Sequence, residues 1–155
     1  MKKTSAGILI KDRRGFLLVH PGGPYYWHKR IKCWSIPKGE REGKEPLLKL
    51  AIRELKEETG ICLNTKDHEF ISLGSCSSNH KKLHGWMVIV DIPEDHEFRS
   101  NTFHLEYPKG SGVFKEYAEV DEFKFFEYEE AVEMITWYQK PLLDKADKIL
   151  KERNG

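Results

Sequence analysis

Glu54, Glu57 and Glu58 stand at positions i, i+3 and i+4 of one short segment. On a helix that spacing projects all three carboxylates from the same face, within a single turn. Three carboxylates held so close repel one another and weaken a free helix. Hard divalent cations remove the repulsion, and Mg²⁺ in particular takes carboxylate oxygens, water and substrate phosphates. The trio therefore reads as half of a metal site whose other half arrives with a phosphorylated substrate. Arg53, four residues before Glu57, is spaced to brace that carboxylate and equally able to reach a phosphate. Glu45 is suited to the free N–H groups and positive end of a helix beginning just after it. A calcium loop is a poorer account, because no D-x-D-x-D-G run occurs in the chain.

The flanking residues say how such a face is built. Pro46 is expected as the first helical residue, where its missing N–H costs nothing. Gly60 is expected to end the helix in the left-handed conformation. Between them Leu47, Leu48, Ala51, Ile52 and Leu55 recur at three- and four-residue spacing, one apolar stripe to bury. Around this helix the pattern predicts strands at about 4–10 and 14–20, a Gly/Pro/aromatic loop over 21–32, and a short strand at 33–36. Further strands are predicted near 69–77, 84–92 and 119–126, a polar excursion over 93–117, and helices at 128–138 and 141–152. Strands and helices mixed with short connections define an α/β class.

Residues 39–61 also fit, without a mismatch, the pattern G-x5-E-x7-R-E-U-x-E-E-x-G-U, in which U is a bulky aliphatic residue. An accidental match at a given start has odds on the order of one in a hundred million at ordinary residue usage. That pattern is the signature box of the Nudix hydrolases, and the chain resembles that family. The resemblance implies an α/β/α sandwich with a mixed central sheet and hydrolysis of a nucleoside diphosphate linked to another group. It also implies a Mg²⁺ or Mn²⁺ cofactor. By position, Glu54, Glu57 and Glu58 match the family's metal-binding glutamates, Arg53 its bracing arginine, and Glu45 the glutamate supporting loop and helix. Gly39 and Gly60 match its structural glycines. The backbone carbonyl of Lys38, just before the box glycine, matches a further ligand. Trp34-Ser35-Ile36-Pro37-Lys38-Gly39 resembles the lead-in of diadenosine-tetraphosphate-type members. His20-Pro21-Gly22-Gly23-Pro24 and Arg99-Ser100-Asn101-Thr102-Phe103 resemble a bacterial subgroup described as predicted NTP pyrophosphohydrolases.

Delivering water to phosphorus needs a base as well as metals. Glu119, heading the stretch Val120–Phe126, resembles the acidic ligand or base at the head of a family strand. Glu116, Asp121 and Glu122 are the fallback candidates. Lys38 can hold a phosphate as a point charge. Tyr26 and Trp34 are expected to stack on a substrate base, with Tyr25, Trp27, Trp86 and Tyr107 as further rings. His80 and His84 carry no zinc signature, because Lys81 stands where a zincin has Glu, and their stretch reads as a hairpin tip.

The chain has 155 residues, enough for the one domain expected here, and 26 Lys+Arg balance 25 Asp+Glu. So even a balance supplies no net field for nucleic acid or membrane lipid, and neither is an expected partner. No stretch is apolar enough for a signal peptide or a membrane span. Cys33, Cys62 and Cys76 lack zinc-type spacing and read as reduced thiols of a cytoplasmic protein. The leading expectation is a metal-dependent hydrolase of a nucleotide phosphoanhydride, with dinucleoside polyphosphates and nucleoside triphosphates the first substrates. The alternative is an inactive nucleotide-sensing module, which would first lose the glutamate cluster.

Overall fold

The computed structural model describes residues 2–154. Its centre is a mixed sheet in the order β4-β5-β1-β2-β8. The strands are β1 (Lys3–Asp12), β2 (Gly15–Pro21), β4 (Ile71–Ser77), β5 (Lys81–Ile89) and β8 (Val120–Phe126). β1 and β5 run parallel and the other neighbours on this path antiparallel. Near the turn between them β1 and β2 pair directly, Lys11 opposite Phe16. Farther along they part, and residues 34–40 enter the gap. Val19 and Ser35 exchange two backbone hydrogen bonds of 2.9 Å, Ile8 N–H donates to the Pro37 carbonyl at 3.2 Å, and β3 (Lys38–Glu40) pairs with Ser5–Gly7 of β1. The segment leading into the box is thus wedged into the middle of the sheet.

Both faces of the sheet are covered. Ala6, Ile8 and Ile10 alternate along β1 toward α1 (Leu47–Thr59), whose Leu50, Ala51 and Leu55 are fully buried. Leu9, Leu18 and Phe126 face the opposite layer with α2 (Tyr128–Met134) and α3 (Lys140–Asn154), packing on Ala131, Leu142, Leu143 and Ala146. This is the three-layer α/β/α arrangement. α1 ends as expected, Gly60 at φ 80° with its N–H on the Lys56 carbonyl at 2.8 Å. At its other end Pro46 lies one residue outside the helix, at ψ 138°, offering its carbonyl to Leu50 N–H. The buried stripe runs through Leu50 rather than Leu48, which lies half-buried at its edge.

Other boundaries differ for local reasons. The strand expected at 33–36 is reduced to single bridges at Trp34 and Ser35. Pro37 has no N–H to donate, so regular pairing begins only at Lys38. The helix expected at 128–138 stops at Met134 because the chain turns to serve Trp34: the Met134 carbonyl accepts from Cys33 and Trp34 N–H, and Thr136 N–H donates to the Trp34 carbonyl. A single 3-10 turn, Trp137–Gln139, follows. The polar excursion holds a hairpin, β6 (Thr102–Glu106) with β7 (Phe114–Ala118), separate from the main sheet. His80 occupies the β4–β5 turn, while His84 lies within β5 opposite Ser75.

The β1–β2 turn is locked by Asp12, whose carboxylate has no solvent exposure. It accepts from Arg14 backbone N–H at 2.7 Å, from the Arg14 guanidinium, and from Ile92 N–H at 3.3 Å. Burial alone would raise its pKa, but the Arg14 and Ile92 hydrogen bonds outweigh burial and hold it below the usual carboxylate range. A carboxylate depressed by folding stabilises above its unfolded pKa, and that stabilisation is lost as pH falls through the folded value. Asp12→Asn is therefore expected to cost about 1–3 kcal/mol at pH 7. The gap to wild type should narrow as pH falls through the lowered Asp12 pKa, as read by urea unfolding at several pH values.

Candidate active site

α1 carries the box glutamates on the face that looks past β3. Glu58, in the last turn, is buried, and its Oε2 accepts the Lys38 backbone N–H at 2.6 Å. Glu54, one turn earlier, lies directly over Gly39: a Cβ there would overlap the Glu54 carboxylate. Gly39 is thus required by close approach. The wedge that sets Lys38 and Gly39 is itself held by buried Gln139, whose Oε1 accepts Ile36 N–H at 2.9 Å while its Nε2 donates to Ser35 Oγ at 3.0 Å.

Arg53 braces rather than reaching outward. Its Nη1 lies 3.2 Å from both oxygens of Glu57 and 3.4 Å from Glu54, and its Nη2 and Nε donate to Glu45 at 2.8 and 3.3 Å. Glu45 therefore acts through Arg53, not as the helix cap the sequence suggested; among the described residues no side-chain hydrogen bond caps the start of α1. Because a lysine cannot reproduce this fork, Arg53→Lys is expected to lower kcat about ten-fold with KM nearly unchanged. A steady-state comparison decides it, since a rise in KM at normal kcat would put Arg53 on the substrate.

Glu119 is brought to this face by a run of backbone hydrogen bonds. The Glu57 carbonyl accepts Asn101 N–H at 2.9 Å, the Asn101 carbonyl accepts Glu119 N–H at 2.8 Å, and the Glu119 carbonyl accepts Gly22 N–H at 2.9 Å. Ser100 Oγ adds contacts to Val120 N–H and carbonyl at 3.1 and 3.3 Å. Two motifs that the sequence offered only as subgroup likenesses acquire physical roles here. Arg99–Phe103 ties Glu119 to the end of α1. In the His20–Pro24 run, Gly22 lies so near the Ala118 carbonyl that a Cβ would overlap it. The fallback candidates are engaged elsewhere: Glu122 with Arg30 at 2.7 Å, Asp121 with His20 at 2.6 Å, and Glu116 with His104 at 3.6 Å.

Charge crowding is written into the carboxyl groups. Burial pushes Glu58 up to about 8, with Glu54 and Glu119 adding to the rise against the Lys38 ammonium and backbone N–H. Burial and then the Glu57 charge push Glu54 to about 7, Arg53 opposing and Glu119 adding. Glu119 is raised by desolvation and Glu57, and lowered by Lys38. Glu54, Glu57, Glu58 and Glu119 thus act on one another as a single anionic cluster. Among the described residues no three His, Cys, Asp or Glu side chains are gathered as a ready-made metal site. Glu57 is turned toward Arg53 and Glu58 toward Lys38 N–H. The donor chemistry nevertheless fits a hard divalent ion: the groups are carboxylate oxygens, burial first and neighbouring carboxylates after it raise the proton affinity of Glu54, Glu58 and Glu119, and a cation relieves the crowding.

Beside the cluster lies a cavity of about 530 Å³, lined by Tyr26, Lys29, Lys32, Cys33, Lys38 and Lys81 and backed by Tyr138 and Gln139. Lys38 belongs to both places. Tyr26 stands there 40 % exposed, with the Lys29 ammonium over its ring at 5.4 Å. Trp34 does not: its ring is fully buried, edge-on to Phe126 at 5.0 Å, with its Nε1 donating to the Arg30 carbonyl. The expectation that Trp34 stacks on substrate is corrected; it is a core residue. Trp86 packs against the α1-side core, while Tyr25 and Trp27 meet Tyr107 and Tyr117 of the hairpin edge-on at 5.3 and 6.0 Å. Lys29, Lys32 and Lys81 carry no signal in the sequence, since only the fold sets Lys81 of β5 beside the loop that holds the other two.

The NUDIX domain model matches residues 1–146, and the chain belongs to the NUDIX family. Nudix hydrolase 5 of Arabidopsis thaliana is 28 % identical over 105 residues, covering 67 % of this chain but only 32 % of that relative's length. Among solved structures, a C. elegans Ap4A hydrolase binary complex superposes with a TM-score of 0.63 at 23 % identity, covering 97 % of this chain and 98 % of that one. The NUDIX domain of Shewanella oneidensis NrtR, complexed with ADP ribose, reaches 0.64 at 12 % identity, covering 97 % and 89 %. At such identities these structural likenesses bear on the fold.

Proposed function

We propose that the chain hydrolyses a phosphoanhydride bond of a nucleotide-type substrate with Mg²⁺ or Mn²⁺, and that dinucleoside polyphosphates and nucleoside triphosphates are its substrate class. The observation that carries the reading is the junction at Lys38. On one side stand Glu54, Glu57, Glu58 and Glu119 as a crowded anionic cluster; on the other opens a cavity ringed by lysines. A polyphosphate laid across that junction has its scissile phosphorus beside the carboxylates and its remaining negative charge among Lys29, Lys32 and Lys81.

The ion would be held by Glu54, Glu57 and Glu58 with the Lys38 carbonyl, and when bound it would neutralise those carboxylates, polarise phosphoryl oxygens and acidify water. The chain's own residues do the rest. Arg53 keeps Glu57 oriented, Lys38 holds a non-bridging oxygen, and Glu119 accepts the proton of the attacking water or serves as a further ligand. Tyr26 offers a face to the base. The free thiols Cys33, Cys62 and Cys76 accord with a cytoplasmic location, and no helix among the described residues is long and apolar enough to cross a membrane.

The test is product identification across a panel of nucleotides with Mg²⁺, with EDTA as control. Turnover of dinucleoside polyphosphates or triphosphates, lost in EDTA, supports the reading. Undiminished activity in chelator overturns the metal assignment, and tight binding without turnover favours the nucleotide-sensing alternative.

A further inference from the structure

His20 lies in β2 with no solvent exposure, and both its ring nitrogens are engaged. Nδ1 is 2.6 Å from Asp121 Oδ1 in β8, and Nε2 is 2.6 Å from the backbone carbonyl of Lys29. A carbonyl only accepts, so Nε2 carries a hydrogen. The short contact to Asp121 then needs a hydrogen of its own, on the ring or on the carboxyl. Neutral imidazole facing an ionised carboxylate would set lone pair against lone pair. One side chain thereby fastens the 22–32 loop to β8, the strand headed by Glu119. A parallel tie, Arg30 to Glu122 at 2.7 Å, is solvent-exposed and correspondingly weak. Cys33 Sγ donates to the same Lys29 carbonyl at 3.3 Å. The loop so fixed carries Tyr26, Lys29 and Lys32 into the lysine-ringed cavity.

We infer that His20 is a positioning residue for substrate affinity: through its two hydrogen bonds it holds the Tyr26–Lys32 loop in the geometry that receives the polyphosphate. The inference rests on the proposed substrate reading, but its mechanical half can be read without any substrate. His20 touches none of the box glutamates, so its removal acts on binding rather than on chemistry. Gln in its place can donate to the Lys29 carbonyl but leaves no matched partner for Asp121. Asp121→Asn keeps every partner satisfied, because the amide donates to Nδ1 of a neutral ring that still donates to Lys29. Asp121→Leu leaves Nδ1 bare and excludes the water that could replace the carboxylate.

The experiment compares wild type, His20→Gln, Asp121→Asn and Asp121→Leu by thermal unfolding, amide hydrogen exchange over 25–32, and kinetics. The substrate is diadenosine tetraphosphate, or ATP if only triphosphates are turned over. His20→Gln and Asp121→Leu are expected to exchange loop amides at least about ten-fold faster and to raise KM about ten-fold with kcat within about three-fold of wild type. Asp121→Asn is expected to match wild type in exchange and in KM. Wild-type exchange in His20→Gln and Asp121→Leu overturns the inference, as does Asp121→Asn behaving like Asp121→Leu. A fall in kcat at constant KM also overturns it, by routing the effect through Glu119. If His20→Gln does not fold, the two Asp121 variants decide. If no nucleotide is turned over, the hydrolase reading fails while the exchange data still judge the loop.

Discussion

Glu58→Gln is expected to lose on the order of a hundred-fold or more in turnover while keeping the wild-type fold. Both halves follow from where the carboxyl sits. It is buried against the Lys38 backbone N–H, and a glutamine oxygen can accept that same 2.6 Å hydrogen bond. Its charge is already disfavoured, with a pKa pushed to about 8 by burial first and by neighbouring carboxylates after it. Losing that charge does not harm the metal-free protein. It removes an anionic oxygen from the set proposed to hold the ion, and differential stabilisation of the transition state falls with it. Glu57→Gln should show the same loss in turnover. Circular dichroism, thermal unfolding and single-turnover kinetics over a Mg²⁺ titration decide the matter: a variant that folds and turns over normally at ordinary Mg²⁺ would remove Glu58 from the reaction.

The second large effect is expected at Glu119. Replacement by Gln should lower turnover about a hundred-fold near neutral pH, the scale of a general base. The two roles open to this group leave different traces. As the base, Glu119 must be ionised, so the wild-type rate should fall as pH drops through its pKa; desolvation and Glu57 place that fall above the range of a free glutamate. The variant should then lack the acidic limb. As a ligand, its loss should instead raise the Mg²⁺ concentration needed for half-maximal rate while the pH profile keeps its shape. Wild-type kinetics in Glu119→Gln at every pH and Mg²⁺ level would take it out of the mechanism. The fallback carboxylates would then need to leave the partners that now occupy them, Arg30, His20 and His104.

What the sequence could reveal depended on whether the information was local. The α1 face, its glycine stop and the Arg53–Glu57 brace all lie within a few residues of one another, and helical spacing alone makes them readable. The same holds for the alternating strands of the main sheet. Trp34 was misjudged because its neighbours in sequence are the box lead-in, whereas its neighbours in space are His20, Phe126 and Ile135. The β6–β7 hairpin escaped because both strands are short and largely exposed, giving the alternation little apolar contrast. The lysines of the cavity come from the 22–32 loop, β3 and β5. The wedge of residues 34–40 between two strands of the sheet sets Lys38 among them, and a wedge of that kind has no periodicity to detect.

The tie from α1 through Asn101 and Glu119 to Gly22 also divides the chain between parts that are constrained and parts that are free. Residues 102–118 leave and return through that one tie, since Asn101 and Glu119 are bonded to each other at 2.8 Å. The excursion is a closed ear on a fixed hinge plate. Changes in the excursion that spare Tyr107 and Tyr117, which pack on Tyr25 and Trp27, are expected to leave the carboxylate at its root in place, much as a jig holds a workpiece while the tool above it is exchanged.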